Sequence, residues 1–248
     1  MLVSVNLIGQ DNATITINVE QLAITVVNLR REIKPNVEKI GTGSFITKDN
    51  IPYLVTASHV AKIMDSMAYV LIQGDYNKPI KINLNDLANP IAWKHHPKAD
   101  LSILVLNPNP KISNDLFKFR FIPYSMINTS KTPISRNIEL TVIGFPLGLG
   151  AVGYFSPLTF RTHASSGFIT LSRFDNGKPQ TFIVLENPSI AGYSGGPVYD
   201  LSFVENKFMR STGGGTKIEG FIHGTIFDST GGKLATMTPA FYLNDLLE

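Results

Sequence analysis

The amino-acid sequence predicts an all-β protein, a barrel or a sandwich, on three observations. Its apolar runs are short, they are rich in Val, Ile, Thr and Phe, and turn residues separate them. In chain order the runs are ATITINV (13–19), LAITVVNL (22–29), GSFIT (43–47), YLVTA (53–57), AYVLI (68–72), IKINL (80–84) and LSILVL (101–106). They continue with ELTVIGF (139–145), GFITL (167–171), TFIVL (181–185) and KIEGFI (217–222). Between two of them, RFDNGKPQ places Asn176 before Gly177, a hairpin signal because both residues tolerate positive φ. Helical periodicity is scarce. HVAKIMDSM (59–67) predicts a short helix, and PAFYLNDLLE (239–248) a C-terminal one with Pro239 in its first turn. The polar stretch 125–137, SMINTSKTPISRN, reads as a linker. It divides the chain into an N-terminal extension with a first β-half (1–124) and a second β-half with the helix (138–248).

Composition narrows the function classes. The chain has 248 residues, 43% hydrophobic and 17% charged, with a net charge of +3. That is enough chain to bury a sizeable core. The densest basic cluster is Arg30, Arg31 and Lys34, too sparse for a nucleic-acid surface. There are no cysteines, so disulfides, thiolate chemistry and zinc-thiolate sites are excluded. Their absence favours a reducing compartment, and the expectation is a cytoplasmic protein. The start lacks a basic region followed by a long apolar run, as a signal peptide needs, and no stretch is long enough to span a membrane.

Two motifs do not fit their usual context. GLGAVG (148–153) has dinucleotide-loop spacing, but the following YFSPLTF is strand-like and broken by Pro157, where a helix would have to begin. GYSGG (192–196) has the spacing of a nucleophile elbow, whose acid and histidine follow the serine. After Ser194 the only histidine is His223, too near for the βα units of that fold. The opposite order works. His59 follows the run YLVTA, Asp100 heads LSILVL, and Ser194 sits in the glycine-rich stretch IAGYSGGPVYD. A serine hydroxyl is a weak nucleophile that needs an adjacent base, and a buried acid can orient that base.

With these residues in that order, the chain resembles the trypsin/chymotrypsin superfamily of serine peptidases, especially its HtrA-like bacterial branch. The resembling segments are GTGSFIT, LVTASHV, ADLSILVL, IGFPLGLG, SSGFITLS, GYSGGPVYD and KIEGFIHG. The resemblance implies two packed six-stranded β-barrels with a short C-terminal helix, and a serine endopeptidase acting through an acyl-enzyme. It implies Ser194 as nucleophile, His59 as base and Asp100 as the orienting acid. The amides of Gly192 and Ser194 become the oxyanion hole. No cofactor and no metal are implied, and the partner is a protein or peptide substrate, neither nucleic acid nor membrane. A regulatory partner or a homo-oligomer is compatible with the branch. The alternative is a catalytically silent relative that binds peptides.

The chain departs from the family pattern in places. Tyr193 stands where digestive members carry the aspartate that captures a processed N-terminus, so activation of that kind is not expected. No PDZ domain follows, so the chain reads as the protease portion only. Pro188 occupies the place of the trypsin-like specificity aspartate, so cleavage after Lys or Arg is not expected to dominate. His223, followed by Thr225, lies on the strand where glutamate- or glutamine-selective members carry a pocket histidine. These three residues are therefore the expected substrate contacts. His95 and His96 are a weak metal signal, better read as a solvated loop, and Trp93 reads as a packing residue.

Overall fold

Short Val/Ile-rich segments bounded by turn residues bury one face each, and here they assemble into two large sheets. The computed structural model describes residues 17–205, 210–212 and 215–248. The first sheet contains β1 (Val26–Lys34), β2 (Val37–Lys48), β3 (Ile51–Thr56), β4 (Tyr69–Gln73), β5 (Pro79–Asn83), β6 (Lys94–His95), β7 (Ser102–Val105) and β8 (Ile122–Pro123). Its order is β5-β4-β1-β2-β3-β7-β6, antiparallel throughout, with β8 added parallel to β2. The second uses β9 (Leu140–Gly144), β10 (Leu158–Thr162), β11 (Ile169–Ser172), β12 (Pro179–Leu185) and β13 (Pro197–Asp200). After a separate hairpin of β14 (Phe203–Glu205) and β15 (Arg210–Thr212), β16 (Lys217–Phe227) and β17 (Lys233–Pro239) complete it. The order is β10-β9-β13-β16-β17-β12-β11. This is the expected chymotrypsin-like double-barrel architecture, although the sheets have eight and seven strands rather than six each.

The helices are short: α1 (Val19–Ala23), α2 (Ser58–Ala61), α3 (Leu84–Leu87) and α4 (Tyr242–Leu247). The expected strand at 13–19 lies partly outside the described residues, and its last residue begins α1 instead. Asn18 accepts from the Gln21 amide at 2.8 Å, and the Gln21 side chain accepts from the Asn18 amide at 3.1 Å. That reciprocal capping box outweighs the β-branched pattern. The expected helix after residue 58 is a single turn, α2. Pro239 ends β17 rather than opening the C-terminal helix, which starts at Tyr242. Among the described residues no helix is long and apolar enough to cross a membrane.

Each sheet has its own apolar cluster, the first around Phe45, Leu54 and Leu104 and the second around Val142, Val198, Ile222 and Met237. A third cluster joins the sheets, with Ile46, Val55 and Leu101 of the first half against Ile143, Tyr199 and Phe221 of the second. Burying such side chains contributes about 1.5–3 kcal/mol each, so the seam between the halves is held as firmly as either core. The stretch 125–137 begins by pairing with β16: the Asn128 amide donates to Ile218 O at 2.9 Å and its Nδ2 to Glu219 Oε2 at 2.7 Å.

Glu219 is a destabilising element at neutral pH. Burial pushes its carboxyl up to about 7, only partly opposed by the Asn128 hydrogen bond. The native state therefore holds a proton that the unfolded chain has released, so stability falls as pH rises from the unfolded value near 4.5 to about 7. Glu219→Gln keeps an acceptor for Asn128 and removes the charge. It should leave stability unchanged near pH 4 and raise it by about 2–3 kcal/mol at pH 8, read by urea unfolding at both pH values. An equal effect at the two would show that the carboxyl is not held neutral.

Candidate active site

Ser194 lies on a loop held from below by Thr42. The Thr42 hydroxyl donates to Gly192 O at 2.7 Å and accepts from the Phe145 amide at 3.0 Å. The Thr42 amide donates to Ser194 O at 2.9 Å, and Thr42 O accepts from the Thr56 hydroxyl at 2.7 Å. The loop carbonyls thus point into the protein. Among the described residues neither the Gly192 nor the Ser194 amide finds an acceptor. Two free N–H groups one residue apart are the donor set an oxyanion requires. Gly192 has φ 105°, and a Cβ there would lie 2.3 Å from Phe145 O. At Gly195, φ is 83° and a Cβ would meet Thr56 Oγ1 at 2.2 Å and Thr42 O at 2.3 Å. Only glycine fits either position.

Tyr193, the residue that breaks the family's activation pattern, anchors the same loop from within. It is buried, its ring meets Phe160 edge-on at 5.0 Å between centroids, and burial pushes its phenol up to about 12. Apolar packing of this side chain holds the loop from within.

His59 is on α2, directly after the strand end Thr56–Ala57, and Asp100 precedes β7, the neighbour of β3. Sheet pairing therefore brings the two together. His59 Nδ1 meets Asp100 Oδ2 at 2.6 Å, and the His59 amide donates to Oδ1 at 2.9 Å. A carboxylate so placed holds the Nδ1–H tautomer and leaves Nε2 as the basic nitrogen. Gly195 packs on Ala57, which places the serine loop beside the histidine turn. The Ser194 hydroxyl itself donates to the His223 carbonyl at 3.2 Å and makes no hydrogen bond to His59.

Asp100 is 1% exposed and accepts two further donors, neither legible in the motifs. His223 Nδ1 reaches Oδ2 at 2.5 Å and Arg173 Nη2 reaches Oδ1 at 3.1 Å. Burial would raise this carboxyl, but the hydrogen bonds from His223 and His59 outweigh it and hold Asp100 well below the usual carboxylate range. The Asp100 amide donates to Gln180 Oε1 at 2.7 Å, and Gln180 Nε2 donates to Thr238 Oγ1 at 2.9 Å. Both Arg173 and Gln180 come from the β11–β12 hairpin. Arg173 is also held by Asp175 through Nε and Nη2, each at 2.8 Å.

His223 differs from its expected setting as a pocket residue. The β16–β17 register shifts between Ile222 and Gly224, and a bulge there turns the His223 ring toward Asp100. The ring is 3% exposed and lies between Phe174, at 4.4 Å, and Phe182, at 4.8 Å. Its Nε2 is buried with no partner among the described residues. Pro188 is exposed, and the Thr225 hydroxyl donates to Ser189 O at 2.8 Å, bracing the loop before the serine. The ligating atoms of His59, Asp100 and His223 lie within 4.8 Å of one another, a spacing that could hold a metal ion. The imidazole Nδ1 atoms already meet Asp100, so an ion bound through them would displace the hydrogen bonds that order His59.

The remaining candidates have structural work. His95 Nδ1 meets Ser102 Oγ at 2.6 Å, and His96 Nδ1 accepts the amides of Lys98 and Ala99 at 3.1 and 2.8 Å, shaping the turn into Asp100. Trp93 packs on the first core and donates Nε1–H to Met64 O at 2.9 Å. In GLGAVG the glycines 148, 150 and 153 all have positive φ, and a strand, not a helix, follows. Ser194 likewise leads into β13, which excludes the strand-to-helix elbow.

The double sheet and the seam it encloses define a chymotrypsin-like hydrolase fold. The trypsin-like peptidase domain family matches residues 41–203, and the chain belongs to that family. Solved structures with the same fold include the Rv3671c protease from M. tuberculosis in its active form. It has a TM-score of 0.57 and 18% identity, covering 92% of this chain and 82% of that one. The serine endoprotease from Yersinia pestis gives 0.53 and 16%, covering 92% of this chain and 63% of that protein. Human heparin binding protein gives 0.55 and 11%, covering 94% and 93%. A search of curated protein sequences gives no significant match.

Proposed function

We propose that the chain is a serine endopeptidase in which Ser194, His59 and Asp100 act as a triad. The observation that carries this reading is the two-point grip of Asp100 on His59 beside a loop whose Gly192 and Ser194 amides are both free. Ser194 Oγ turns from the His223 carbonyl toward His59 and the substrate by a rotamer change about χ1. It attacks the scissile carbonyl, and His59 Nε2 takes its proton. The oxyanion settles on the two amides, where one such donor supplies about 3–4 kcal/mol. His59 then gives the proton to the leaving amine, and water repeats the cycle on the acyl-enzyme. The substrate is a protein or peptide, and the lack of cysteine in the chain fits a reducing, cytoplasmic site of action.

The competing reading, a silent peptide-binding relative, draws on the Ser194 hydroxyl being bonded to His223 O instead of His59. A fluorophosphonate probe separates the two. Covalent labelling of Ser194, lost in Ser194→Ala and strongly slowed in His59→Ala, is expected of the peptidase. An unlabelled, correctly folded wild-type chain would establish the silent relative.

A further inference from the structure

A groove of about 440 Å³ opens where the β11–β12 hairpin meets the turn before Asp100 and α4. Its walls carry three cations, Lys98, Arg173 and Lys178, and no carboxylate, with Pro179 and Tyr242 as apolar surface. The backbone that carries the two exposed lysines is fixed. His96 Nδ1 holds the turn that presents Lys98, and the Lys178 amide donates to Asn176 Oδ1 at 2.9 Å. Arg173 has a side chain only 4% exposed and spends Nε and Nη2 on Asp175 and Asp100. Arg173 is nonetheless one of the residues that line the groove. The acids Asp100 and Asp175 are already engaged by Arg173, and Asp245 of α4 by His96 Nε2 at 3.1 Å. Cations lining one concave site raise the local concentration of anions. The volume suits a few residues of chain, and proline and tyrosine walls suit an extended peptide.

We infer that this groove binds a peptide segment bearing a carboxylate, an Asp or Glu side chain or a free C-terminus, and that occupancy acts on Asp100 through Arg173. The first clause is independent of turnover. The second rests on the peptidase reading, because the shared guanidinium then links the groove to the triad.

Calorimetry on the full Ser194→Ala chain, which leaves the titrant uncut, tests the site with Ac-Pro-Glu-Glu-Pro-NH2, its Gln counterpart and inorganic phosphate. The Glu peptide should bind at least about tenfold more tightly than the other two, and more weakly as salt is raised. Lys98→Glu combined with Lys178→Glu should cost at least about tenfold in that affinity, and Arg173→Gln a similar factor. Because Arg173→Gln can unfold the hairpin, the surface pair is the deciding variant, with its fold checked by circular dichroism. Equal binding of the Gln peptide, phosphate as tight as the Glu peptide, or an indifferent double variant would each overturn the site. For the coupling, fluorophosphonate labelling of wild-type Ser194 should change at least about threefold in saturating Glu peptide. An unchanged rate removes the second clause. Absence of labelling in every form, with binding intact, would count against the peptidase reading and in favour of the groove alone.

Discussion

Ser194→Ala and His59→Ala should each abolish all but a residual turnover, and Asp100→Asn should lower kcat by about 10⁴. The aspartate is the most informative of the three. Asp100 receives both the amide and Nδ1 of His59. An asparagine offers one oxygen and one N–H₂ group in place of two acceptors. It therefore either loses the amide contact or turns a donor toward Nδ1, which favours the wrong tautomer. The same substitution faces either His223, at Oδ2, or Arg173, at Oδ1, with an amide nitrogen, so a stability loss should accompany the kinetic one. The losses in kcat should not add, because each residue is useless without the others: the triple variant should be about as slow as Ser194→Ala. Matched kcat measurements on one peptide substrate, with unfolding curves for each variant, decide the assignment. An Asp100→Asn enzyme with near wild-type kcat would mean that His59 is oriented by another group.

Strands with alternating or continuous β-branched residues were legible because burial selects those residue types locally. β3, β7, β9, β12 and β16 coincide with apolar runs read from the chain. His59 and Asp100 were legible because each sits where a strand begins or ends, and β3 pairs with β7. What stayed hidden is long-range. Thr42 looks like one more strand residue, yet it reaches Gly192, Ser194 and Phe145 across the seam. Arg173 looks like a solvated hairpin charge, and only the fold reveals that its guanidinium meets Asp100. α1 was missed because its capping box competes with a β-like composition. His223 was placed on the right strand, but the side it faces depends on a bulge, and a one-residue register shift reverses every side chain beyond it.

That bulge gives the second large effect. His223→Ala should reduce kcat about 100-fold and destabilise the fold by about 2–4 kcal/mol, because it deletes a donor to a buried carboxylate and empties a ring-sized space between Phe174 and Phe182. The ring acts through Asp100: without it, one side of Oδ2 is unbalanced, and the carboxylate can swing away from His59 Nδ1. As a positioning residue, it should affect peptides ending in Glu, Gln, Ala and Leu alike, with the loss in kcat and little change in KM. A pocket residue would do the reverse, raising KM for Glu and Gln while sparing Ala and Leu. His223→Asn is the companion variant, since its side-chain amide can still donate toward Asp100 while filling less of the aromatic gap. It should recover part of kcat and little of the stability, separating the hydrogen bond from the packing. If His223→Asn is as slow as His223→Ala, and both lose rate in proportion to stability, the ring is only a core side chain. If the loss falls on Glu and Gln peptides alone, His223 reads the substrate after all and the Asp100 contact is incidental.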